Sequence, residues 1–249
     1  MGAIQNKITI VTGGGGGIGG AIARRFATEG AKVAVADVDP KTATAVAAEL
    51  TSKGADALPL VADVTSKKAV GDMIQAVLDR WHRIDILVNV AGGAERIPVI
   101  EMTAADWDHV VDMNLKSVFL CSQAVLPIML KQKYGKIVNI SSIYGYTGSA
   151  TRSSYSAAKA GVSAFTKSLA LEVVHDGINI NAVAPGRVFT ERVRSHFSDE
   201  AWAAAEAQIP VGRTATTDEI ASAVLFLATD ENKYITGQTI HVNGAWLNW

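Results

Sequence analysis

Short apolar segments alternate with longer amphipathic segments along this chain. The first three apolar segments, Lys7–Thr12, Lys32–Asp37 and Ala57–Asp63, are each followed by a segment with helical periodicity. Such a rhythm indicates repeated βα units, in which parallel strands form one sheet with helices on both faces. Later apolar segments that continue the pattern are Asp85–Asn89, Lys136–Ser141, Asn179–Ala184 and Thr239–Asn243.

The sequence therefore predicts an α/β fold with a doubly wound, Rossmann-like parallel sheet of about seven strands. Its 249 residues lie within the range of one α/β domain, and no linker interrupts them, so we expect residues 1–249 to form a single domain. The least regular part is residues 188–210, where we expect either a mobile substrate loop or an ordinary surface excursion. The glycines expected to cap helices in the left-handed conformation are Gly30, Gly54, Gly135 and Gly177.

Composition and charge exclude several classes of partner. The net charge is -1 and no basic run occurs, so we expect no nucleic-acid binding. Cys121 is the single cysteine, and the five histidines are scattered without metal-ligand spacing, which predicts neither a disulfide nor a metal site. No secretion signal precedes Lys7, and no uninterrupted apolar stretch is long enough for a membrane helix. We expect a cytoplasmic protein that binds small molecules.

A run of glycines follows the first predicted strand. From Gly13 to Gly20, Ile18 is the only residue with a side chain. Glycines let the backbone turn tightly and approach a pyrophosphate, whose charge then lies at the positive end of the next helix. The run predicts a dinucleotide site, and a flexible structural turn is the alternative.

An acidic residue follows at the end of the second predicted strand. Asp37 lies 24 positions after Gly13. A carboxylate there accepts hydrogen bonds from the ribose hydroxyls of NAD and repels the 2′-phosphate of NADP, so the sequence predicts NAD in preference to NADP. An ordinary surface carboxylate is the alternative.

Tyr155 and Lys159 are spaced to lie on one face of a predicted helix, one turn apart. A phenol needs a lower pKa to act as a base near neutrality, and an ammonium about 4 Å away contributes about 4 kcal/mol at an effective dielectric of about 20. Ser142 ends a predicted strand at the carboxyl edge of the sheet, where its hydroxyl could hold a substrate oxygen. These residues predict proton transfer by Tyr155, with Lys159 tuning its pKa.

Over essentially its whole length the chain resembles the short-chain dehydrogenase/reductase family. Thr12-Gly13, three residues, and Gly17-Ile18-Gly19 match the motif T-G-x-x-x-G-I-G, while Tyr155 and Lys159 match Y-x-x-x-K. Ser142 stands the expected 13 residues before the tyrosine. The resemblance implies that Asn114 completes a catalytic set with Ser142, Tyr155 and Lys159, its backbone helping to hold a water that links the lysine to solvent. It also implies a homotetramer.

The resemblance further implies contacts to the cofactor. Asp63 and Val64 would meet the adenine, Val188 and Thr190 the nicotinamide carboxamide, and Lys159 the nicotinamide ribose. The family's N-N-A-G stretch reads Asn-Val-Ala-Gly here, so position 90 keeps only its backbone contact. The full set of expected dinucleotide-binding residues is Gly13, Gly16, Gly17, Ile18, Gly19, Asp37, Asp63, Val64, Val90, Tyr155, Lys159, Val188 and Thr190.

Arg152 lies three residues before Tyr155. It could bind an anionic group of the substrate, or it could be an ordinary surface or subunit-contact residue. Several aromatic residues could line an apolar pocket, although packing is the commoner role of such residues. These aromatic residues are Tyr144, Tyr146, Trp202, Trp246 and Trp249.

We therefore expect an NAD-dependent oxidoreductase that transfers a hydride between nicotinamide and a secondary alcohol or ketone. Tyr155 would be the general acid/base and Ser142 would orient the substrate oxygen. A 3-oxoacyl thioester reductase is the first alternative. A non-catalytic dinucleotide-binding sensor or scaffold is an alternative of another class, but it would not need Ser142, Tyr155 and Lys159 together.

Overall fold

A computed structural model describes residues 2–93 and 95–248 of the chain. Seven strands form one parallel sheet in the order β3-β2-β1-β4-β5-β6-β7. This confirms the predicted doubly wound α/β fold, in which the strand order reverses between β1 and β4. The strands are β1 (Ile8–Thr12), β2 (Lys32–Asp37), β3 (Ala57–Val61), β4 (Ile86–Asn89), β5 (Gly135–Ile140), β6 (Ile178–Pro185) and β7 (Thr239–Val242).

Helices cover both faces of this sheet. The described α-helices are α1 (Gly17–Thr28), α2 (Pro40–Ser52), α3 (Lys67–Trp81), α4 (Ala104–Val111), α5 (Ser117–Gln132), α6 (Tyr144–Thr147), α7 (Ser153–Val173), α8 (Glu191–Arg194), α9 (Asp199–Glu206) and α10 (Thr217–Ala228). One apolar cluster joins the sheet to α1, α2 and α10, and a second joins it to α3, α5 and α7. Along β1, Val11 points into the first cluster and Ile8 and Ile10 into the second, as the two-residue period of a strand requires.

The reversal of strand order creates a crevice at the carboxyl edge of the sheet. Connections from β1 and β4 leave in opposite directions, which is where ligands bind in open α/β sheets. Thr12 and Asn89, the last residues of the two strands, are paired in the parallel register. The predicted glycine turn and the loop after β4 therefore lie on either side of one cleft.

A π-helical segment, Asp112–Lys116, joins α4 to α5 in one continuous helix. By length and mean hydropathy, this helix, Ala104–Gln132, is the one helix in the described part of the chain that could cross a membrane, and 44% of its apolar 18-residue stretch is buried inside the protein. It packs on the sheet between α3 and α7, as a core helix of a globular domain does. The π-segment holds Asn114, and such bulges are frequent at functional sites.

Three of the four glycines predicted as helix caps adopt the left-handed conformation, with φ of +84° at Gly30, +87° at Gly54 and +74° at Gly177. The prediction for Gly135 is wrong. Lys133 takes the left-handed position instead, with φ of +52°, and Gly135 begins β5. A Cβ at Gly135 would lie 2.4 Å from the Met129 sulfur, so this glycine is explained by close packing of α5 on the strand.

Residues 188–210 are more regular than the sequence indicated. Val188 forms an isolated parallel bridge with Ala215, and the segment contains the short helices α8 and α9. Thr190 and Ser198 cap them by accepting hydrogen bonds from backbone N–H groups in their first turns. The segment therefore leaves β6, crosses the carboxyl edge and returns to α10.

Buried amide side chains join the strands beneath the cleft. Asn89 Nδ2 donates to Asn139 Oδ1 at 2.9 Å, and Asn139 Nδ2 donates to Thr166 Oγ1 on α7, also at 2.9 Å. Asn139 is fully buried. The amide chain holds β4, β5 and α7 in register below the residues that line the cleft.

We predict that Asn139→Leu lowers the free energy of unfolding by about 1–3 kcal/mol, because it leaves the Asn89 amide and the Thr166 hydroxyl without this buried partner. Urea denaturation followed by circular dichroism measures the loss. Gln75→Leu, at an exposed position of α3, is the control and should change stability by less than about 0.5 kcal/mol. Equal stability of the two variants would contradict this role of the amide chain.

Candidate active site

Close backbone packing shapes the turn between β1 and α1. Gly13 and Gly17 have φ of +62° and +52°, which L side chains rarely adopt. At Gly19 a Cβ would lie 2.0 Å from the Gly13 carbonyl oxygen. The glycines are therefore required by the backbone itself, which explains why the motif tolerates no side chain at these positions.

The outer side of this turn is open. A Cβ at Gly16 would meet no atom within 4 Å, and Gly16 is the extended N-cap of α1, whose first-turn N–H groups have no side-chain cap. Such uncapped donors at the positive end of a helix suit a pyrophosphate. The backbone of Gly16, Gly17, Ile18 and Gly19 therefore has the shape and free donors that would suit the phosphates of a dinucleotide.

Thr12 ties the turn to the opposite side of the cleft. Its hydroxyl accepts hydrogen bonds from the backbone N–H groups of Val90 at 3.0 Å and Ala91 at 3.2 Å. The Val90 side chain is therefore not needed to fix this loop, and the departure from N-N-A-G leaves the backbone anchored.

Both oxygens of Asp37 accept hydrogen bonds from the protein. Oδ2 accepts from Gly15 N–H at 2.9 Å, and Oδ1 accepts from Asp39 N–H at 3.1 Å. The carboxylate therefore completes the glycine turn and the start of α2. The hydrogen bonds that the structure shows for this carboxylate are therefore made within the protein.

Asp63 and Val64 follow β3 at the same edge. Asp63 Oδ1 accepts hydrogen bonds from both the N–H and the hydroxyl of Thr65, which lower the pKa of this exposed carboxyl. Val64 is buried beside it. Both residues lie beyond Asp37 along the cleft, on the side where an adenine would lie.

The segment after β6 covers the middle of the cleft. A Cβ at Gly17 would lie 3.5 Å from the Thr190 methyl group, and a Cβ at Gly93 would lie 3.4 Å from an Arg192 guanidinium nitrogen. Residues 188–192 therefore pass over both the glycine turn and the loop after β4. Thr190 thereby lies beside the glycine turn, whereas Val188 is buried in the first apolar cluster.

Ser142, Tyr155 and Lys159 meet at the carboxyl end of β5. Ser142 is 6% exposed, and its hydroxyl accepts a hydrogen bond from Tyr144 N–H at 3.2 Å. The same hydroxyl hydrogen-bonds with the Tyr155 phenol. Lys159 is 3% exposed, and its Nζ lies 5.7 Å from the centroid of the Tyr155 ring. Ser142, Tyr155 and Lys159 therefore form one cluster in the structure.

Burial governs the proton affinities in this cluster. It raises the pKa of the Tyr155 phenol, while the Ser142 hydrogen bond and the charge of Arg152 act in the opposite direction. Burial lowers the pKa of Lys159 to about 8, and its ammonium donates to the Ile140 carbonyl at 2.7 Å. In this structure the cation that lowers the Tyr155 pKa is thus Arg152, which the sequence analysis considered only for substrate binding.

Asn114 lies behind this cluster, fully buried. Its side-chain amide donates to the carbonyls of Gly93 at 2.8 Å and Val110 at 2.9 Å, while its oxygen accepts from Gly93 N–H at 3.2 Å. A Cβ at Gly92 would lie 2.5 Å from Asn114 Oδ1 and 3.5 Å from Lys159 Nζ. Asn114 therefore fixes the loop that separates it from the lysine.

Aromatic residues surround the outer end of the cleft. Tyr144 and Trp246 make an edge contact with ring centroids 6.2 Å apart, and Trp202 contacts Phe189 and Phe197. Tyr146 instead points inward, where its hydroxyl donates to Ser163. Trp249 lies outside the described residues.

Arg187 is a cleft residue that the sequence analysis missed. It follows Pro185-Gly186 at the end of β6, and its guanidinium lies over the rings of Phe197 at 5.3 Å and Trp246 at 5.6 Å. Its position three residues after the predicted strand that ends at Ala184 was the signal that could have identified it. Across residues 2–93 and 95–248, no group of three or more His, Cys, Asp or Glu is arranged to hold a metal ion.

The fold and the cleft define a class of protein. A glycine turn at the β1/β4 switch point suits a dinucleotide, and a buried serine and lysine with a partly exposed tyrosine suit proton transfer to a reacting oxygen beside it. Together these are the features of a dinucleotide-dependent oxidoreductase.

The chain belongs to the short-chain dehydrogenase/reductase family. Residues 14–246 match the family model described as enoyl-(acyl carrier protein) reductase. A crystal structure of the protein gox2181 superposes with a TM-score of 0.95, at 38% identity over 98% of this chain and 97% of that one. The resemblance inferred from the motifs is thereby confirmed, and so is an oxidoreductase of this family.

Relatives named 3-oxoacyl-[acyl-carrier-protein] reductase align over nearly the whole chain. The protein from Synechocystis is 41% identical over 98% of each chain, and FabG of Escherichia coli K12 is 41% identical over 96% of this chain and 97% of its own. FabG of Staphylococcus aureus Mu50 is 43% identical over 96% of this chain and 98% of its own. They support the first alternative from the sequence over a generic alcohol or ketone substrate.

The predicted preference for NAD over NADP is wrong. The relatives are reductases of a kind that depends on NADPH, which conflicts with that preference. The structure supplies a physical reason why Asp37 misled the prediction. Its carboxylate serves the Gly15 and Asp39 amides, so its presence after β2 is explained without a ribose ligand.

We predict that Gly19→Ala destabilises the protein and weakens dinucleotide binding at least tenfold, because the new Cβ cannot coexist with the Gly13 carbonyl oxygen. Thermal unfolding and titration of intrinsic fluorescence with NADPH measure the two effects. Gly71→Ala in α3 is the matched control, since its Cβ meets no neighbour and it should stabilise by up to about 1 kcal/mol. Wild-type affinity in Gly19→Ala would refute the account of the turn.

The buried Lys159 predicts a pH-dependent stability. Its pKa is about 8 in the fold against 10.5 ordinarily, so between these values the unfolded chain holds a proton that the folded chain has released. Stability contributed by this group therefore rises with pH across that window, by at most about 3 kcal/mol. We expect the difference in unfolding free energy between wild type and Lys159→Met to rise from pH 7 to pH 10.

Urea denaturation at each pH measures this difference. Lys167→Met, at an exposed position on the same helix, is the control and should give a flat difference. A flat difference for Lys159→Met as well would show that the ammonium is not desolvated in the fold.

Proposed function

We propose that the protein reduces the 3-oxo group of an acyl thioester to a 3-hydroxy group, with NADPH as reductant. The observation that carries this proposal is the near full-length similarity to several 3-oxoacyl-[acyl-carrier-protein] reductases. The cluster of Ser142, Tyr155 and Lys159 supports it independently, because it suits proton transfer to a carbonyl oxygen.

The protonation state of Tyr155 favours the reductive direction. When bound, the dinucleotide supplies a hydride to the carbonyl carbon, and the carbonyl oxygen must then gain a proton. Burial raises the Tyr155 pKa, so the phenol holds its proton at neutral pH and can act as a general acid. The Ser142 hydroxyl would hydrogen-bond to the same carbonyl oxygen and orient it toward the phenol.

Lys159 and Asn114 would return a proton to Tyr155. With a pKa of about 8, Lys159 exchanges protons near neutrality more readily than an ordinary lysine. Asn114 packs close to it through Gly92 and lies in the π-segment, where the helical hydrogen bonding is altered. We propose that the Asn114 backbone and water connect Lys159 to solvent.

The dinucleotide-binding residues expected from the sequence keep these roles as part of the proposal. Gly13 to Gly19 would hold the pyrophosphate, Asp63 and Val64 the adenine, and Val90, Val188 and Thr190 the nicotinamide half. Residues 188–210 would form the substrate loop, because they cover the cleft between the glycine turn and the loop after β4.

The assembly and location expected from the sequence also remain proposals. We propose a homotetramer, on the family resemblance. We propose the bacterial cytoplasm as its location, on the bacterial relatives.

We predict that wild type reduces 3-oxohexanoyl-N-acetylcysteamine with NADPH, and that Tyr155→Phe lowers kcat by about 10²–10⁴ because the proton donor is lost. NADPH oxidation followed by absorbance measures turnover, and fluorescence titration should give an NADPH affinity within threefold of wild type. Tyr234→Phe, at a fully exposed tyrosine, is the matched control.

Two results would count against the proposal. Turnover by Tyr155→Phe within threefold of wild type would exclude Tyr155 as the proton donor. Failure of wild type to reduce the thioester, with NADPH bound, would exclude this substrate class.

A further inference from the structure

Two arginines flank the catalytic tyrosine on the substrate side of the cleft. Arg152 is the N-cap of α7, three residues before Tyr155, and its guanidinium carbon lies 5.4 Å from the centroid of the Tyr144 ring. Arg187 approaches from the end of β6 and lies over Phe197 and Trp246. Because Tyr144 and Trp246 touch each other, the two guanidinium groups belong to one aromatic-lined site.

The backbone holds this cluster in a strained arrangement. Thr151, directly before Arg152, has φ of +64°, which is unusual for a β-branched residue. Its carbonyl accepts a hydrogen bond from Ile97 N–H at 2.8 Å, which brings the loop carrying Arg96 toward Arg152. Strain of this kind persists where the surrounding structure imposes it, often at functional sites.

Both guanidinium groups lack hydrogen-bond acceptors among the described residues. Arg152 Nε and Arg187 Nη1 are buried without a partner. Hydrogen bonds from the N–H and hydroxyl of Thr214 to Oε1 lower the pKa of the Glu206 carboxyl, and the charge of Arg187 lowers it further without a hydrogen bond between the two side chains. Burial and the charges of Arg96 and Arg187 lower the pKa of Arg152, so like charges are gathered here.

Aromatic packing alone does not account for this arrangement. A ring stabilises the face of a guanidinium, whereas the N–H donors project in its plane and need oxygen acceptors. Burying such donors without acceptors costs free energy, and adding a second cation nearby increases that cost. The arrangement is favourable when an anionic oxygen group lies between the two guanidinium planes.

We propose that Arg152 and Arg187 form a subsite for a carboxylate carried by the substrate, a few bonds from the carbonyl that is reduced. The inference rests on the proposed reduction at Tyr155 and specifies its substrate as an oxoacyl compound with a carboxylate. The phosphate of a phosphopantetheine arm is the other source of anionic oxygens. It lies at the far end of the arm from the 3-oxo carbon, whereas Arg152 is one helical turn from Tyr155.

The test compares three thioesters with the same reacting group. 3-Oxohexanoyl- and 3-oxoadipyl-N-acetylcysteamine have equal chain lengths and differ in a terminal methyl or carboxylate, while 3-oxohexanoyl-phosphopantetheine carries the phosphate. We expect wild type to prefer the 3-oxoadipyl thioester at least tenfold in kcat/KM, through KM. In Arg152→Gln and Arg187→Gln this preference should fall to about one.

Arg80→Gln is the matched control, because Arg80 lies on α3 and pairs with Asp56 away from the cleft. It should keep the wild-type preference. Equal kcat/KM for the methyl and carboxylate thioesters in wild type would overturn the proposal. A preference for the phosphopantetheine thioester that is lost in Arg152→Gln would overturn the carboxylate in favour of a phosphate.

A binding experiment separates this inference from the proposed reaction. Calorimetry with unreactive monomethyl adipate, which has one carboxylate, and dimethyl adipate, which has none, requires no turnover. We expect wild type with NADPH to bind the monomethyl ester at least tenfold more tightly than the dimethyl ester, and each arginine variant to bind the two equally. Equal binding by wild type would overturn the subsite even if the thioesters are reduced, and preferential binding would support it even if they are not.

Discussion

The active cleft depends on the parallel direction of every strand in the sheet. Because β1, β4, β5 and β6 all run the same way, their carboxyl ends deliver the glycine turn, the Gly92 loop, Ser142 and Arg187 to one edge. The reversal of strand order between β1 and β4 then opens that edge. Below this edge, the buried amides of Asn89 and Asn139 hydrogen-bond to each other and hold β4 and β5 in register. Residues far apart in sequence therefore meet without any long irregular loop to position them.

Burial then supplies the chemistry at this edge. The same low-polarity surroundings raise the pKa of Tyr155 and lower that of Lys159, so the phenol keeps its proton and the amine loses its proton more easily. These opposite shifts move the two pKa values apart, so the Lys159 ammonium is the stronger acid of the pair and can return a proton to the Tyr155 phenolate. The charge of Arg152 opposes the rise in the Tyr155 pKa. Arg152 therefore connects the proposed anion subsite with the proton donor. A bound carboxylate would offset the Arg152 charge and favour the protonated phenol further.

Much of the fold could be predicted from the sequence, because buried apolar residues recur with one period along a strand and with another along a helix. All seven strands lie where the apolar segments indicated, and the motifs identified the family. Local packing was harder to predict. Gly135 looked like a helix cap, yet its small size is needed against Met129, a contact between elements that periodicity does not reveal. The helices within 188–210 were missed because they are short and carry little amphipathic signal.

Two features of the site were also hard to predict, because they depend on contacts that a residue's type and position do not reveal. Asp37 has the residue type and position of a ribose ligand, but only the structure reveals that each of its oxygens also accepts a backbone hydrogen bond, from Gly15 or Asp39. Arg187 drew no attention because an arginine alone suggests a surface residue, and its partners Trp246 and Phe197 come from distant parts of the chain. The cluster of Ser142, Tyr155 and Lys159 could be predicted from motif spacing, whereas the contacts of Asp37 and Arg187 follow no motif and could not.

The central claim is that the dinucleotide hydride is transferred to C3 of a 3-oxoacyl thioester. The most direct measurement is nuclear magnetic resonance of the product formed from 3-oxohexanoyl-N-acetylcysteamine and NADPH that carries deuterium at the transferable position, in ordinary water. The account predicts a 3-hydroxyhexanoyl thioester with deuterium at C3. Protium at C3, or reduction at any other carbon, would contradict it.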